Sequence, residues 1–254
     1  MKELTIKERQ AIILDIMTDI DEFCRANGIR YSISSGTLLG AVRHGGFIPW
    51  DDDADMFMLR EDFDRFVKTY KGRKYEVLYN PCSEKKFIVT GFAKICDNTT
   101  RIKNSWSDAT HGVWVDIFPL DSVPADSRKQ RKVMHKYMSI NNRLHHRQKK
   151  DLLSILKSYR RSLDEWWEKC EELSHPDRYH DSPLVAHSLG AMNYRTVIEK
   201  TRFDDLVPIR FEGREFLSFR DYDSYLRMVY GDYMTPPPEQ ERATHSDKAF
   251  KLEN

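Results

Sequence analysis

Asp51, Asp52, Asp53 and Asp55 crowd four carboxylates into five positions, and any fold of this chain must place them. Facing one another without a partner, such groups raise each other's pKa and cost stability. The stretch from Asp53 to Leu59 alternates, with acids at 53 and 55 and apolar side chains at 54, 56 and 58. Alternation predicts a strand, which sends every second side chain to one face. Asp53 and Asp55 then lie side by side, Asp51 falls on the same side just ahead of the strand, and Asp52 points away. A divalent cation between the carboxylates removes the repulsion. Mg²⁺ takes oxygen ligands in an octahedral shell that it shares with water and substrate phosphates.

Asp116 is the natural third ligand, an acid inside the otherwise apolar run GVWVDIFPLD (Gly112–Asp121). Three aspartates on two neighbouring strands suffice to hold one or two ions for in-line displacement at phosphorus. The competing reading is a solvated acidic loop after Trp50 with Asp116 capping a turn. The apolar setting of Asp116 and a glycine turn upstream weigh against it.

That turn is Ser35-Gly36-Thr37, between a predicted strand at Ile29–Ser34 and a short predicted helix, GTLLGAVRH. Backbone N–H groups at a helix start, where glycine permits close approach, bind anions. Ser35 and Thr37 add hydroxyl donors. Arg43 lies two helical turns beyond Gly36 and can reach a phosphate. Lys94, in FAKICDNTT, ends an apolar strand and can neutralise diphosphate charge; a solvated strand-end lysine is the alternative. A phosphate cradle followed by metal carboxylates describes a nucleotidyltransferase-type site.

The surrounding pattern is α/β. Residues 7–26 carry Ile13, Ile16, Met17, Ile20 and Phe23 at helical spacing, and Gly28 ends that helix. Further strands are predicted at Tyr75–Tyr79, Phe87–Ile95 and Gly112–Asp121, the last ended by Pro119 and Pro124. Beyond Pro124 the texture turns helical over 126–149 and 151–173. A strand segment returns after Thr196, followed by a helix and a proline-rich tail. The predicted organisation is a catalytic core over 1–124 and a mainly helical region over 125–254 that packs on it and completes the site.

Composition sets limits on partners. The net charge of +1 over 254 residues argues for no nucleic-acid or acidic partner by itself. The cysteines at 24, 82, 96 and 170 form no CxxC and predict free thiols in a reducing compartment. No secretory signal is visible at the N-terminus, and no apolar run approaches the ~20 residues needed to cross a bilayer. The expectation is a cytoplasmic protein without a transmembrane segment. Residues 128–150 are strongly basic. They read as a solvated helix face or, alternatively, as a peripheral contact for an anionic acceptor or lipid surface.

The runs SGTLLGAVRHGGFIPWDDDADM, GVWVDIFPLD and YGDYMTPPP together resemble the LicD family of phosphotransferases, which shares its core motif with fukutin-type proteins. The resemblance spans about Ile12 to His245. It implies the nucleotidyltransferase (polymerase beta-like) superfold with a helical C-terminal half. It also implies Mg²⁺-dependent transfer of a phosphoalcohol, phosphocholine above all, from a CDP-linked donor, with Mn²⁺ as the alternative ion. The acceptor is a hydroxyl of a cell-surface glycan such as lipopolysaccharide or teichoic acid, and CMP is released. Carried over residue by residue, the metal acids fall on Asp53, Asp55 and Asp116, with Asp116 the base near the acceptor hydroxyl. The glycine motif falls on Ser35, Gly36 and Thr37. Asp51 belongs to the motif without an assigned metal bond. The tail folds back near the site, which brings Arg242 and His245 toward substrate. Trp50 and Trp114 flank the acids, where they pack or cage an ammonium. Two rival functions share these residues. One is a DxD glycosyltransferase using a nucleotide sugar. The other is a non-catalytic relative binding glycan or polyanion.

Overall fold

The computed structural model describes residues 1–70, 74–79, 91–103, 111–147, 172, 178–187, 197–242, 244 and 248–253. The predicted helix over 151–173 except residue 172, the first part of the predicted strand at Phe87–Ile95, Cys82, Cys170, Lys149, Lys150 and His245 lie outside them. In chain order the first elements are β1 (Lys2–Glu3), α1 (Ile6–Asn27), β2 (Ser32–Ile33), α2 (Ser35–His44), β3 (Asp55–Leu59), α3 (Arg60–Thr69) and β4 (Glu76–Leu78). They are followed by β5 (Ala93–Cys96), β6 (Thr100–Lys103), β7 (Trp114–Ser122) and α4 (Ser127–Arg147). The remainder are β8 (Leu184–Ala186), β9 (Ile198–Glu199), β10 (Leu206–Phe211), β11 (Arg214–Phe219), α5 (Tyr222–Tyr230) and β12 (Lys248–Lys251).

Local chemistry sets the ends of α1. Thr5 and Glu8 form a reciprocal capping box: the Glu8 N–H donates to Thr5 Oγ1 at 3.2 Å and the Thr5 N–H to Glu8 Oε2 at 2.8 Å. Gly28, at φ 60°, closes the helix in the left-handed conformation. The predicted apolar stripe faces inward: Ile13, Ile16, Met17 and Ile20 are fully buried.

The central sheet runs β2-β3-β7-β5-β4, with β8 and β9 continuing from β7. Among the described residues only β3 and β7 pair in parallel; β2–β3, β5–β7 and β4–β5 are antiparallel. The predicted strand at Ile29–Ser34 shrinks to two residues, because Ser34 already extends toward α2. Pro119 does not end β7, which continues to Ser122. Asp116 donates its N–H to Ala54 O on the β3 side, so the missing N–H of Pro119 falls on the opposite edge. There β5 pairing stops at Ile117 and β8 pairing begins at Asp121. Proline is tolerated where no ladder partner needs its hydrogen.

Beyond Pro124 the described residues carry β8 to β12 alongside α4 and α5, and the strand segment predicted after Thr196 is the β10–β11 pair. β8 and β9 are very short and the partners of β12 are distant in sequence, so periodicity alone shows little of these three. β12 pairs with both β1 and β6 and joins the two ends of the chain. β10 and β11 form a hairpin whose turn residues Glu212 and Gly213 both have positive φ, the geometry that matches strand twist. The tip of this hairpin holds the end of α2. Glu212 Oε1 accepts the Phe47 N–H at 3.0 Å, and the Glu212 N–H donates to Gly45 O at 2.9 Å. Cys24 and Cys96 are free and buried. Among the described residues, no helix is long and apolar enough to cross a membrane.

Candidate functional site

The site is built on the parallel pair. Asp55 on β3 and Asp116 on β7 are register partners, so their side chains share one sheet face. Two backbone bonds and one to a side chain fix the two strands at this level. The Ser34 N–H donates to Asp55 O at 3.0 Å, the Asp55 N–H to Thr37 Oγ1 at 2.8 Å, and the Asp116 N–H to Ala54 O at 2.8 Å. Asp53, Asp55 and Asp116 each present a carboxylate oxygen within 4.8 Å of the others. Asp116 is buried, whereas Asp53 and Asp55 are partly exposed. Burial, then Asp53, Asp116 and Asp51, push the Asp55 carboxyl well above the usual carboxylate range.

This donor set fits a divalent cation. All three groups are hard oxygen ligands, and an octahedral Mg²⁺ shell spans about 4.2 Å between opposite oxygens. Small carboxylate rotations bring the cluster to that size. An ion there would relieve the repulsion that Asp53, Asp116 and Asp51 add to the effect of burial on Asp55.

On the other flank of Asp116, β5 places Lys94 opposite it. Lys94 Nζ donates to Asp116 Oδ1 at 2.7 Å, with both side chains largely buried. The ammonium lies 4.2 Å from the Trp114 ring centroid and 5.2 Å from that of Phe92.

Asp51 and Asp52 turn to different surroundings. Asp52 points back into the protein, where Arg9 Nη1 donates to its Oδ2 at 2.9 Å. Gln10 Nε2 donates to Ile48 O at 3.2 Å and Asp51 O at 2.9 Å. Two side chains of α1 thus hold the acid loop from behind. Asp51 is buried, and burial pushes its carboxyl up to about 6. Its Oδ2 lies beside Gly36, where an added Cβ would meet it at 2.9 Å. The anion nearest the predicted phosphate cradle is therefore Asp51 itself. Thr37 spends its hydroxyl oxygen on Asp55, and the Ser35 N–H, at φ 48°, donates to Tyr225 Oη at 3.4 Å.

The tail packs against Arg43 of α2 and against Trp50. Arg43 Nη1 donates to Tyr233 O at 2.8 Å. The Arg242 guanidinium stacks 4.6 Å from the Trp50 ring centroid, and its Nε donates to Pro237 O at 3.1 Å. Burial, then Tyr225, Asp55, Asp51 and Asp53, raise the Tyr230 hydroxyl far above its ordinary value. Arg43, Arg242, Trp50 and Tyr230 group together, with Arg242 on Trp50 and Arg43 in electrostatic reach of Tyr230 and Arg242. Arg9, Gln10, Tyr225 and Tyr230 were not singled out from the sequence. Arg9 and Gln10 had a readable signal, since both sit on the inward stripe of α1, where a polar side chain needs a buried partner.

The family model described as LicD/FKTN/FKRP, nucleotidyltransferase domain, matches residues 28–160. That span holds the glycine turn, Lys94 and all the acids. The lipopolysaccharide cholinephosphotransferase LicD of Haemophilus influenzae is 32% identical over 260 residues, which cover 96% of this chain and 97% of that protein. The human ribitol 5-phosphate transferase FKRP is 54% identical over 37 residues, 15% of this chain and 8% of that protein. An uncharacterized protein of Rickettsia typhi, RT0683, is 37% identical over 110 residues, 40% of this chain and 36% of that protein. A match across the whole acid-bearing segment and an alignment along almost the entire chain give one answer: this protein belongs to the LicD/FKTN/FKRP family.

Proposed function

We propose that the protein transfers a phosphoalcohol, phosphocholine before others, from a CDP-linked donor to a hydroxyl of a cell-surface glycan precursor, releasing CMP. The observation that carries this reading is the convergence of Asp53, Asp55 and Asp116 on one point of the sheet face in a LicD-family chain. The near full-length relative is named for transfer of cholinephosphate and for lipopolysaccharide, which supports the choice of cargo and acceptor. With the reading goes the nucleotidyltransferase superfold. A helix starting at Ser35 precedes an acid-bearing strand, and a second strand adds the third acid.

Asp53, Asp55 and Asp116 would hold Mg²⁺. When bound, the ion supplies charge neutralisation and orientation at the donor diphosphate. The chain's own groups do the remainder. Arg43 and Arg242 would supply positive charge to the outer phosphate oxygens, and Lys94 a third. Asp116 takes the proton of the attacking glycan hydroxyl. That oxygen bonds to the distal phosphorus as the bond to the CMP oxygen breaks. Catalysis is mostly positioning and electrostatic stabilisation.

The test is incubation with Mg²⁺, a panel of CDP-alcohols and candidate glycans, reading CMP and modified glycan. CMP formed from CDP-choline only in the presence of Mg²⁺ and a glycan acceptor is the expected result. UDP released from a nucleotide sugar, or full activity in excess EDTA, defeats the proposal.

A further inference from the structure

Lys94 occupies a slot made for an ammonium. Asp116 Oδ1 lies ahead of it at 2.7 Å, and the rings of Trp114 and Phe92 flank it. Cation–ring contacts of this kind add to an ion pair. Its partner is one of the three carboxylates that converge on a single point. A cation at Asp116 Oδ1 and a divalent ion on the same cluster repel each other at a separation of a few ångströms, where screening by water is weak. The lysine is not locked in place, because a flexible four-carbon stem carries its charge.

We propose that Lys94 competes with the divalent ion for Asp116, and that an anionic phosphate ligand relieves the competition by drawing the ammonium off the carboxylate. Ion and donor then bind as a coupled pair, each tightening the other by the same factor. Lys94 is in this sense a positioning residue, acting through Asp116 and the phosphates. This inference rests on the metal site of the proposed function, so its test must separate the two.

Mn²⁺ binding is measured by the loss of its free electron paramagnetic resonance signal, with and without CDP, correcting for the Mn²⁺–CDP complex. Wild type, Lys94→Met and Lys94→Arg are compared. Without CDP, Lys94→Met binds Mn²⁺ roughly tenfold tighter than wild type, and Lys94→Arg stays near wild type. CDP tightens Mn²⁺ binding to wild type severalfold more than to Lys94→Met. Equal or weaker Mn²⁺ binding by a folded Lys94→Met overturns the inference, as does an equal effect of CDP on both. If Lys94→Met does not fold, wild type alone decides: Mn²⁺ and CDP that bind independently overturn the coupling. Mn²⁺ bound but uncoupled defeats this inference and leaves the metal site standing. No Mn²⁺ bound at any CDP concentration defeats both.

Discussion

Asp55 and Asp116 stand side by side across β3 and β7, yet Lys94 holds Asp116 at 2.7 Å while Asp55 faces three other acids. Neighbouring carboxylates thus make opposite contributions to stability.

The first prediction uses that contrast. Asp55→Asn removes repulsion and raises the melting temperature, by ~2–4 °C if the relief is about 1 kcal/mol. Asp116→Asn leaves the buried Lys94 charge without its anion and costs about 3 kcal/mol. Both variants lose transfer by a factor of roughly 100 or more, since each removes a group aimed at the reacting phosphate. Thermal melts and CMP release measure the two effects independently. Destabilisation by Asp55→Asn contradicts the charge assignment.

Arg9 and Asp52 give the second prediction. Their ion pair at 2.9 Å is almost wholly buried, and it anchors the acid loop to α1. Arg9→Met strands the Asp52 carboxylate and costs about 3–5 kcal/mol. Adding Asp52→Leu recovers part of that loss by removing the stranded charge. Transfer stays low in the double variant, because the loop carrying Asp51 and Asp53 has lost its anchor. Denaturant melts of the single and double variants form the cycle; additive losses would show that the two residues do not act as a pair.

His187 supplies a pH dependence. Its ring is buried against Phe118 at 4.3 Å between centroids, with Phe57 and Phe92 beyond. Neither ring nitrogen has a hydrogen-bond partner among the described residues. Burial, and secondarily Arg60, lower its pKa from 6.5 to about 3. Between those values the unfolded chain binds a proton that the folded one refuses. Stability therefore falls as pH drops below about 6.5, by about 3 kcal/mol between pH 7 and pH 4. His187→Leu removes this component. Melts of variant and wild type across that range should diverge as the acid limit is approached, and parallel curves would refute the assignment.

Much of the site could be read in advance because its logic is local. Alternation marked Asp55 beside Asp53, although β3 begins only at Asp55 and Asp53 precedes it, and an acid in an apolar run marked Asp116. Register was beyond reach. Nothing in the spacing says that residue 55 pairs with 116 or that 94 lies across from it, since these are contacts between distant segments. The same applies to β12, whose partners lie at the other end of the chain and at Thr100–Lys103. Pro119 misled for a physical reason: a proline breaks a ladder only on the edge where its hydrogen is needed. The glycine turn was legible as a strand-to-helix junction, but not the carboxylate of Asp51 set beside it.

The basic start of α4 yields the last prediction. Arg128, Lys129, Arg131, Lys132 and Lys136 are all exposed, while Met134 turns inward. Five exposed cations on one short stretch of helix concentrate positive charge on its surface. Near an anionic surface each adds about 1 kcal/mol, and the attraction fades within a Debye length. The protein should therefore sediment with phosphatidylglycerol vesicles at low salt and be released at high salt. Reversing Arg128, Lys129, Arg131 and Lys132 to glutamate should weaken binding at least tenfold while leaving transfer to a soluble acceptor intact, because these side chains lie on α4 and not among the acids. Vesicle binding that survives the reversal, or that ignores salt, would remove α4 as the contact and leave its charge as a solvated face.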